Sequence, residues 1–223
     1  MASHHGRNER DRSGPLSVAV LGAAGATGIP LVEQALAAGD RVTALVHSRQ
    51  KLPITNPNLH VVEGDATDPR AVSEAMRGAD AVISVLGARG PVMADATQAI
   101  VDIAKQVGPE RVVMLSSFAV ARDRLTPVAK AVTGMAMGSQ IKDKAAGEDV
   151  LRASGLDWTI VYATKLTNGH ETGRRVVPES EKVGLSDKIS RADVAAFLLQ
   201  SATDDLGSQG SVVITGSEGN GPS

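Results

Sequence analysis

The chain has 223 residues, with 23 Lys and Arg against 25 Asp and Glu, for a formal net charge of −2. That length suits one large α/β domain and would leave two independent cores cramped. The charge balance excludes a basic nucleic-acid footprint, 2% aromatic residues leave few stacking platforms, and the lack of cysteine excludes disulfides, thiolate nucleophiles and Cys-held metals.

Residues 1–15 are polar and charged, with no apolar h-region, so a disordered leader is expected there rather than a secretory signal. From residue 16 to 223, apolar β-branched runs alternate with amphipathic segments, the pattern of a parallel sheet with helices on both faces. The expectation is a doubly wound α/β (Rossmann) domain with a small C-terminal substrate-side region. Strands are expected at Ser17–Leu21, Arg41–Val46, Leu59–Glu63, Ala81–Val85, Arg111–Leu115, Thr159–Val161 and Val212–Thr215. Helices are expected at Ile29–Ala38, Arg70–Arg77, Ala94–Val107, Ser139–Ser154 and Arg191–Ser201. Asp68-Pro69 supplies an N-cap followed by a first-turn proline, and Ser190 to Asp193 resembles a capping box with Asp in place of Glu. Phe118 to Gly138 is too polar for a strand and reads as a long loop, either a lid or an insertion. No apolar run approaches membrane-spanning length, and the five histidines (His4, His5, His47, His60, His170) lack ligand spacing, so no metal is expected.

The sharpest motif is Val18-Ala-Val-Leu-Gly22-Ala-Ala-Gly25-Ala-Thr-Gly28-Ile-Pro30. An apolar strand runs into three regularly spaced glycines, and a helix pattern follows at once. Gly22 permits a tight turn, Gly25 admits a pyrophosphate to the backbone, and Gly28 allows helix to pack on strand. Free N–H groups at the helix start, among Ala26, Thr27 and Ile29, then attract the anion. After the second strand, where a NAD site places an acid on the ribose, stands His47-Ser-Arg49-Gln-Lys51. Arg49 offers a fork and Lys51 a point charge for a ribose phosphate, and His47 can stack on adenine or donate to that phosphate. NADP(H) is the expected cofactor.

The chain resembles the atypical short-chain dehydrogenase/reductases, and within them the NmrA-like and biliverdin reductase B (flavin reductase) branch. The residues that carry this are Val18–Gly28, Glu63-Gly-Asp65, Val85-Leu-Gly-Ala-Arg89, Leu115-Ser-Ser117, the run Val150 to Val161 containing Ser-Gly-Leu-Asp-Trp-Thr-Ile-Val, and Ile189-Ser-Arg-Ala-Asp-Val-Ala195. The resemblance implies that Asp65, with Ala66 beside it, meets the adenine, that Leu86 and Gly87 line the cofactor channel, and that Arg89 sits near the phosphates or substrate. It implies Ser117 as the active-site serine with Ser116 beside it, Lys144 holding the nicotinamide ribose, and Tyr162 to Leu166, including Thr164, flanking the nicotinamide. Ser117, Lys144 and Tyr162 are the candidate catalytic residues.

Three positions depart from the family. His47 replaces the usual first arginine after the second strand, and Tyr162-Ala163 replaces Arg-Pro after the sixth. Gln140 stands four residues before Lys144, where the family generally has the proton-donating tyrosine. Glutamine donates a hydrogen bond but supplies no proton at neutral pH. An acceptor reduced at a conjugated carbon or flavin nitrogen can take its proton from water with Ser117 polarising it, or Tyr162 or His170 supplies the proton from the opposite wall. His170, in a loop by composition, reads more simply as an exposed side chain.

The expected activity is reduction by NADPH of a conjugated, quinone-like or flavin-like small molecule. A non-catalytic NADP(H)-binding sensor, or an isomerase, epimerase or dehydratase on the same fold, stands as the alternative. Further expectations are a cytoplasmic location, a monomer or weak homo-oligomer, and no nucleic-acid or membrane partner.

Overall fold

The structure, a computed structural model, describes residues 14–87, 92–203 and 208–217. Most of the expected leader, and Arg89, lie outside the described residues. The strands are β1 (Ser17–Leu21), β2 (Arg41–Val46), β3 (Leu59–Glu63), β4 (Ala81–Ser84), β5 (Arg111–Ser117), β6 (Asp157–Ala163), β7 (Lys165–Thr167), β8 (Arg174–Val176), β9 (Lys188–Ser190) and β10 (Gly210–Gly216). The helices are α1 (Gly28–Ala37), α2 (Pro69–Met76), α3 (Met93–Val107), α4 (Pro127–Arg152) and α5 (Arg191–Thr203).

Eight strands form one sheet in the order β3-β2-β1-β4-β5-β6-β10-β8, parallel except for the last pair. Strands such as Val18–Leu21 and Ala81–Ser84 are buried on both faces, which is why they read as continuous apolar runs. Alternation then sorts their side chains. Ala19, Leu21, Val82, Val112 and Met114 join the core beneath α2, α3 and α4, whereas Val18, Val20, Ile83, Val113 and Leu115 join the one beneath α1 and α5. The doubly wound architecture agrees with the expectation.

Two helix starts follow their local chemistry. Asp68 caps α2 by accepting from the Arg70 N–H at 3.0 Å, with Pro69 in the first turn. At α5, Ser190 Oγ accepts from the Asp193 N–H at 2.9 Å. The Asp193 carboxylate, fully buried, accepts from Ser190 Oγ (2.6 Å), Thr172 N (3.0 Å), Thr172 Oγ1 (3.1 Å) and Gly173 N (3.0 Å). One residue thereby fixes both the start of α5 and the loop before β8.

The expected loop from Phe118 to Gly138 is a correction. A single 3-10 turn at Arg122–Arg124 leads directly into α4, which begins at Pro127 rather than Ser139. Thr126 caps it by accepting from the Ala129 N–H at 3.4 Å, and Arg122 braces it through Thr133 Oγ1 (3.2 Å) and the Lys130 carbonyl (2.7 Å). Met137 breaks the helical conformation (φ −132°, ψ 18°) beside Gly138-Ser139, so α4 is two helical halves joined at a kink. Short strands β7, β8 and β9 were not expected, and β6 extends past Val161 to Ala163.

Burial pushes the Asp193 carboxyl up, but the bonds from Ser190, Thr172 and Gly173 outweigh it and hold the group below its ordinary range. A carboxylate depressed in the folded state stabilises above its unfolded pKa and loses that contribution as pH falls. Asp193→Ala is expected to destabilise the fold by about 3 kcal/mol at pH 7. Chemical denaturation across pH 3–7 tests this, the gap to the parent narrowing at the acid end.

Candidate functional site

The strand order reverses at β1, with β2 and β3 on one side and β4 and its successors on the other. Connections diverging from such a point leave a crevice above the strand carboxyl ends. Here it is a cleft of about 910 Å³.

Its floor is the glycine turn. Gly22 has φ +88°, and a Cβ there would stand 3.0 Å from the carbonyl carbon and oxygen of Val85. A Cβ on Gly28 would lie 2.6 Å from the Ala23 carbonyl oxygen, a clash with backbone that cannot give. Gly25 donates its N–H to the Gly22 carbonyl at 3.0 Å, and Ala24, Gly25, Ala26 and Thr27 line the cleft. Thr27, the N-cap of α1, makes no side-chain cap, and the first turn holds no acid. The N–H groups of Ala26 and Thr27 at this helix start thus meet neither an internal acceptor nor a competing carboxylate, an arrangement that favours an anion. A dinucleotide pyrophosphate fits this cradle.

Ile29 does not take part as expected. Its N–H is committed to the Gly25 carbonyl at 3.0 Å, and its side chain packs into the core under α1 and α5. Gly28 is likewise absent from the cleft wall and acts through close packing.

At the end of the cleft beside β2 and β3, Leu45, Val46, His47, Lys51, Gly64 and Ala66 form the wall. Arg49 opens a 3-10 turn that also carries Lys51, its N–H donating to Glu63 Oε2 at 3.1 Å, and its exposed side chain is not part of that wall. Asp65 lies off the wall. One oxygen accepts from Thr67 N (2.8 Å) and Oγ1 (2.7 Å), while the other is 3.6 Å from His47 Nδ1. The Thr67 N–H and hydroxyl, with His47 adding a smaller pull, hold its carboxyl below the usual range.

The opposite end collects Leu86, Gly87, Ser116, Ser117, Lys144 and Ala163 to Leu166. Ser117 accepts from the Ala119 N–H at 3.3 Å, which orients its hydroxyl. Thr164 contributes through its backbone, because its Oγ1 bonds Thr215 Oγ1 at 3.1 Å. Burial pushes the Lys144 amine below the ordinary lysine range, against the pull of Glu148 and then Asp143.

Tyr162 is the main correction among the expected site residues. Along β6 the side chains alternate, so Val161 and Ala163 face the α1/α5 side while Tyr162 faces α4. Its hydroxyl donates to Glu148 Oε2 at 2.5 Å and accepts from Arg152 at 2.7 Å. It lines a separate cavity of about 580 Å³ and does not flank the cleft. Burial first, then Glu148, push its phenol far above the ordinary range. Ser116, paired with Tyr162 across β5 and β6, also turns away and gives its hydroxyl to Glu148 Oε1 at 2.6 Å.

Sequence reasoning missed Glu148 and the apolar side of the cleft: Phe118, Val132, Thr133, Ala136, Met137 and Leu185. The signal for the latter was the Thr126-Pro127 pair, the same cap-and-proline device read correctly at Asp68-Pro69. Gln140 is exposed and outside the cleft, so the usual tyrosine position does not face it.

Residues 22–205 match the family described as NAD(P)H-binding. An uncharacterized chloroplastic protein of Arabidopsis thaliana is 31% identical over 199 residues, covering 82% of this chain and 70% of the relative. Among solved structures, a short-chain dehydrogenase/reductase from Veillonella parvula in complex with NADP aligns with a TM-score of 0.79 at 22% identity, covering 92% of this chain and 95% of that one. ChuY from Escherichia coli O157:H7, described as an anaerobillin reductase, aligns with a TM-score of 0.77 at 24% identity, covering 92% and 99%. Both share the fold. No helix among the described residues is long and apolar enough to cross a membrane.

Gly25→Val is expected to abolish NADP(H) binding with the fold retained. Its Cβ would stand 3.1 Å from the Gly22 carbonyl oxygen, and its methyl groups would enter the cleft. Cofactor titration beside circular dichroism decides this, and normal binding by the variant would place the cradle elsewhere.

Proposed function

We propose that this chain, which belongs to the NAD(P)H-binding family, is an NADPH-dependent reductase of conjugated, quinone-like or flavin-like small molecules. One observation carries the substrate class. Past Ser117 and Lys144 the cleft opens between Phe118, Val132, Ala136, Met137, Leu166 and Leu185, and among the described residues no carboxylate lines it. Val132 and Leu185 are exposed apolar side chains at that opening, 45% and 41% accessible. Such a wall suits a flat, apolar acceptor and gives an alcohol or sugar few partners. ChuY's description as an anaerobillin reductase is in keeping with an extended conjugated substrate.

The roles follow from position. The N–H groups around Ala24 to Thr27 receive the pyrophosphate, and Lys51 with Arg49 and His47 receives the ribose phosphate. Leu86 and Gly87 admit the nicotinamide half, and Lys144 holds its ribose. The bound nicotinamide supplies hydride. Ser117 donates a hydrogen bond to the acceptor and polarises it, while the apolar wall excludes water and fixes the approach. A second reading, an NADP(H) sensor without turnover, is favoured by Gln140, which leaves the family's proton-donor position exposed and away from the cleft.

NADPH oxidation on adding a quinone or flavin separates the two readings. Replacing both Arg49 and Lys51 by Ala is expected to weaken NADPH binding by about 3 kcal/mol, roughly a hundredfold, and to leave NADH binding little changed. Equal affinity of the parent for both cofactors would refute the assignment of these charges. Ser117→Ala is expected to lower kcat tenfold to a thousandfold with NADPH affinity unchanged, as for the loss of one polarising bond. Unchanged turnover would reduce Ser117 to a strand-end contact.

A further inference from the structure

Glu148 follows Lys144 by one helical turn on α4, and its residue is only 1% accessible. Side chains in that relation stand on the same helix face, about 5–6 Å apart at Cβ. A carboxylate buried there is costly unless its oxygens are satisfied. Here three donors from three elements converge: Ser116 of β5 on Oε1 (2.6 Å), and Tyr162 of β6 (2.5 Å) and Arg152 of α4 (3.0 Å) on Oε2. Arg152 also donates to the Tyr162 hydroxyl at 2.7 Å. The negative charge is held rigidly under the lysine end of the cleft.

Lys144 lines the cleft wall, as does Ser117, on the side where apolar groups gather. Among the described residues, few other charged groups come near it. On α4, Asp143 is engaged by the Met93 N–H of α3 at 3.1 Å, and Arg152 is engaged by Glu148 and Tyr162. From β5 come the neutral Ser116 and Ser117, and from β6 the neutral Tyr162. Lys165 and Arg191 line the same cleft. Without Glu148, burial would act on the ammonium against the pull of Asp143 alone, which favours the neutral amine.

We propose that Lys144 is the proton donor of the reduction and that Glu148 is the positioning residue that keeps it protonated, in place of the tyrosine this chain lacks. The assignment rests on the reductase reading. As hydride forms the new bond on the acceptor, an N–H bond of the Lys144 ammonium breaks and its proton joins the acceptor oxygen or nitrogen. The acceptor gains two electrons and two hydrogens, NADPH leaves as NADP⁺, and the neutral amine recovers its proton from water. Burial serves this chemistry, since a donor more acidic than free lysine gives its proton more readily near neutral pH. Glu148 sets the limit on that acidity.

The test begins on the cofactor-free protein, with a ¹³C-lysine NMR titration in which Lys144 is assigned by its loss in Lys144→Met. In Glu148→Gln its midpoint is expected to fall by about one to two pH units. In turnover, the basic limb of the kcat/KM profile, which reports groups of the free enzyme, should coincide with the Lys144 midpoint in the parent and move down with it in the variant. Lys144→Arg, whose guanidinium stays charged, should bind NADPH and lose turnover at least a hundredfold. An unmoved Lys144 midpoint, or a basic limb that does not match it, overturns the proposal. If Glu148→Gln does not fold, the match between the parent's two midpoints still decides. Absence of any NADPH oxidation by the parent would instead refute the reductase reading.

Discussion

Gly28 brings the first turn of α1 down onto the carbonyls of Gly22 and Ala23, where any side chain would collide with backbone. This approach sets the position of the helix's N–H groups relative to the end of β1. Gly22, with its positive φ and its contact against Val85, fixes the same turn against the chain leaving β4. The two contacts hold the helix terminus over the point where the sheet order reverses. The remaining walls follow from this registration, because β2 delivers His47 and Lys51 to one side of the anion site and β5 and β6 deliver Ser117 and Ala163 to the other.

Strand alternation then divides the chemistry. Ser117 enters the cleft, while Ser116, one residue earlier, turns under the sheet to Glu148. Tyr162, opposite Ser116, turns the same way, and together they bury a carboxylate beneath Lys144. Among the described residues the cleft is lined by no acidic side chain, while Glu148 lies behind its wall. A carboxylate placed in the cleft would repel the phosphates; Glu148 instead lies on the α4 side of β5 and β6, bonded to Ser116, Tyr162 and Arg152.

Much of this was legible in the residues. The glycine turn and the alternation of strands with helices are local or periodic signals, and periodicity survives into the fold wherever burial is two-sided; Ser117 and Lys144 were marked by the family resemblance instead. Other features depend on contacts between distant segments. The first half of α4 carries so few charges, and so many small residues, that it lacks a helix's polar face; its start was marked only by Thr126-Pro127. Tyr162 was expected in the cleft because its neighbours belong there, and a period of two sends it to the other side. Glu148 gave no sign, being one acidic residue in a helix of mixed charge until Ser116 and Tyr162 close over it. Strands β7 and β9 are three residues each and exist only through pairing with one another.

The central claim is that a dinucleotide lies across the reversal point with its pyrophosphate at the start of α1. Backbone amide shifts followed while NADP⁺ is titrated into the ¹⁵N-labelled protein test it most directly. The account predicts that the largest changes fall at Ala24 to Thr27, with further changes at His47 to Lys51 and at Leu86 and Gly87, and that the separate cavity lined by Tyr162, Arg124 and Lys182 stays silent. Saturable shifts centred on that second cavity, with the glycine turn unmoved, would contradict it.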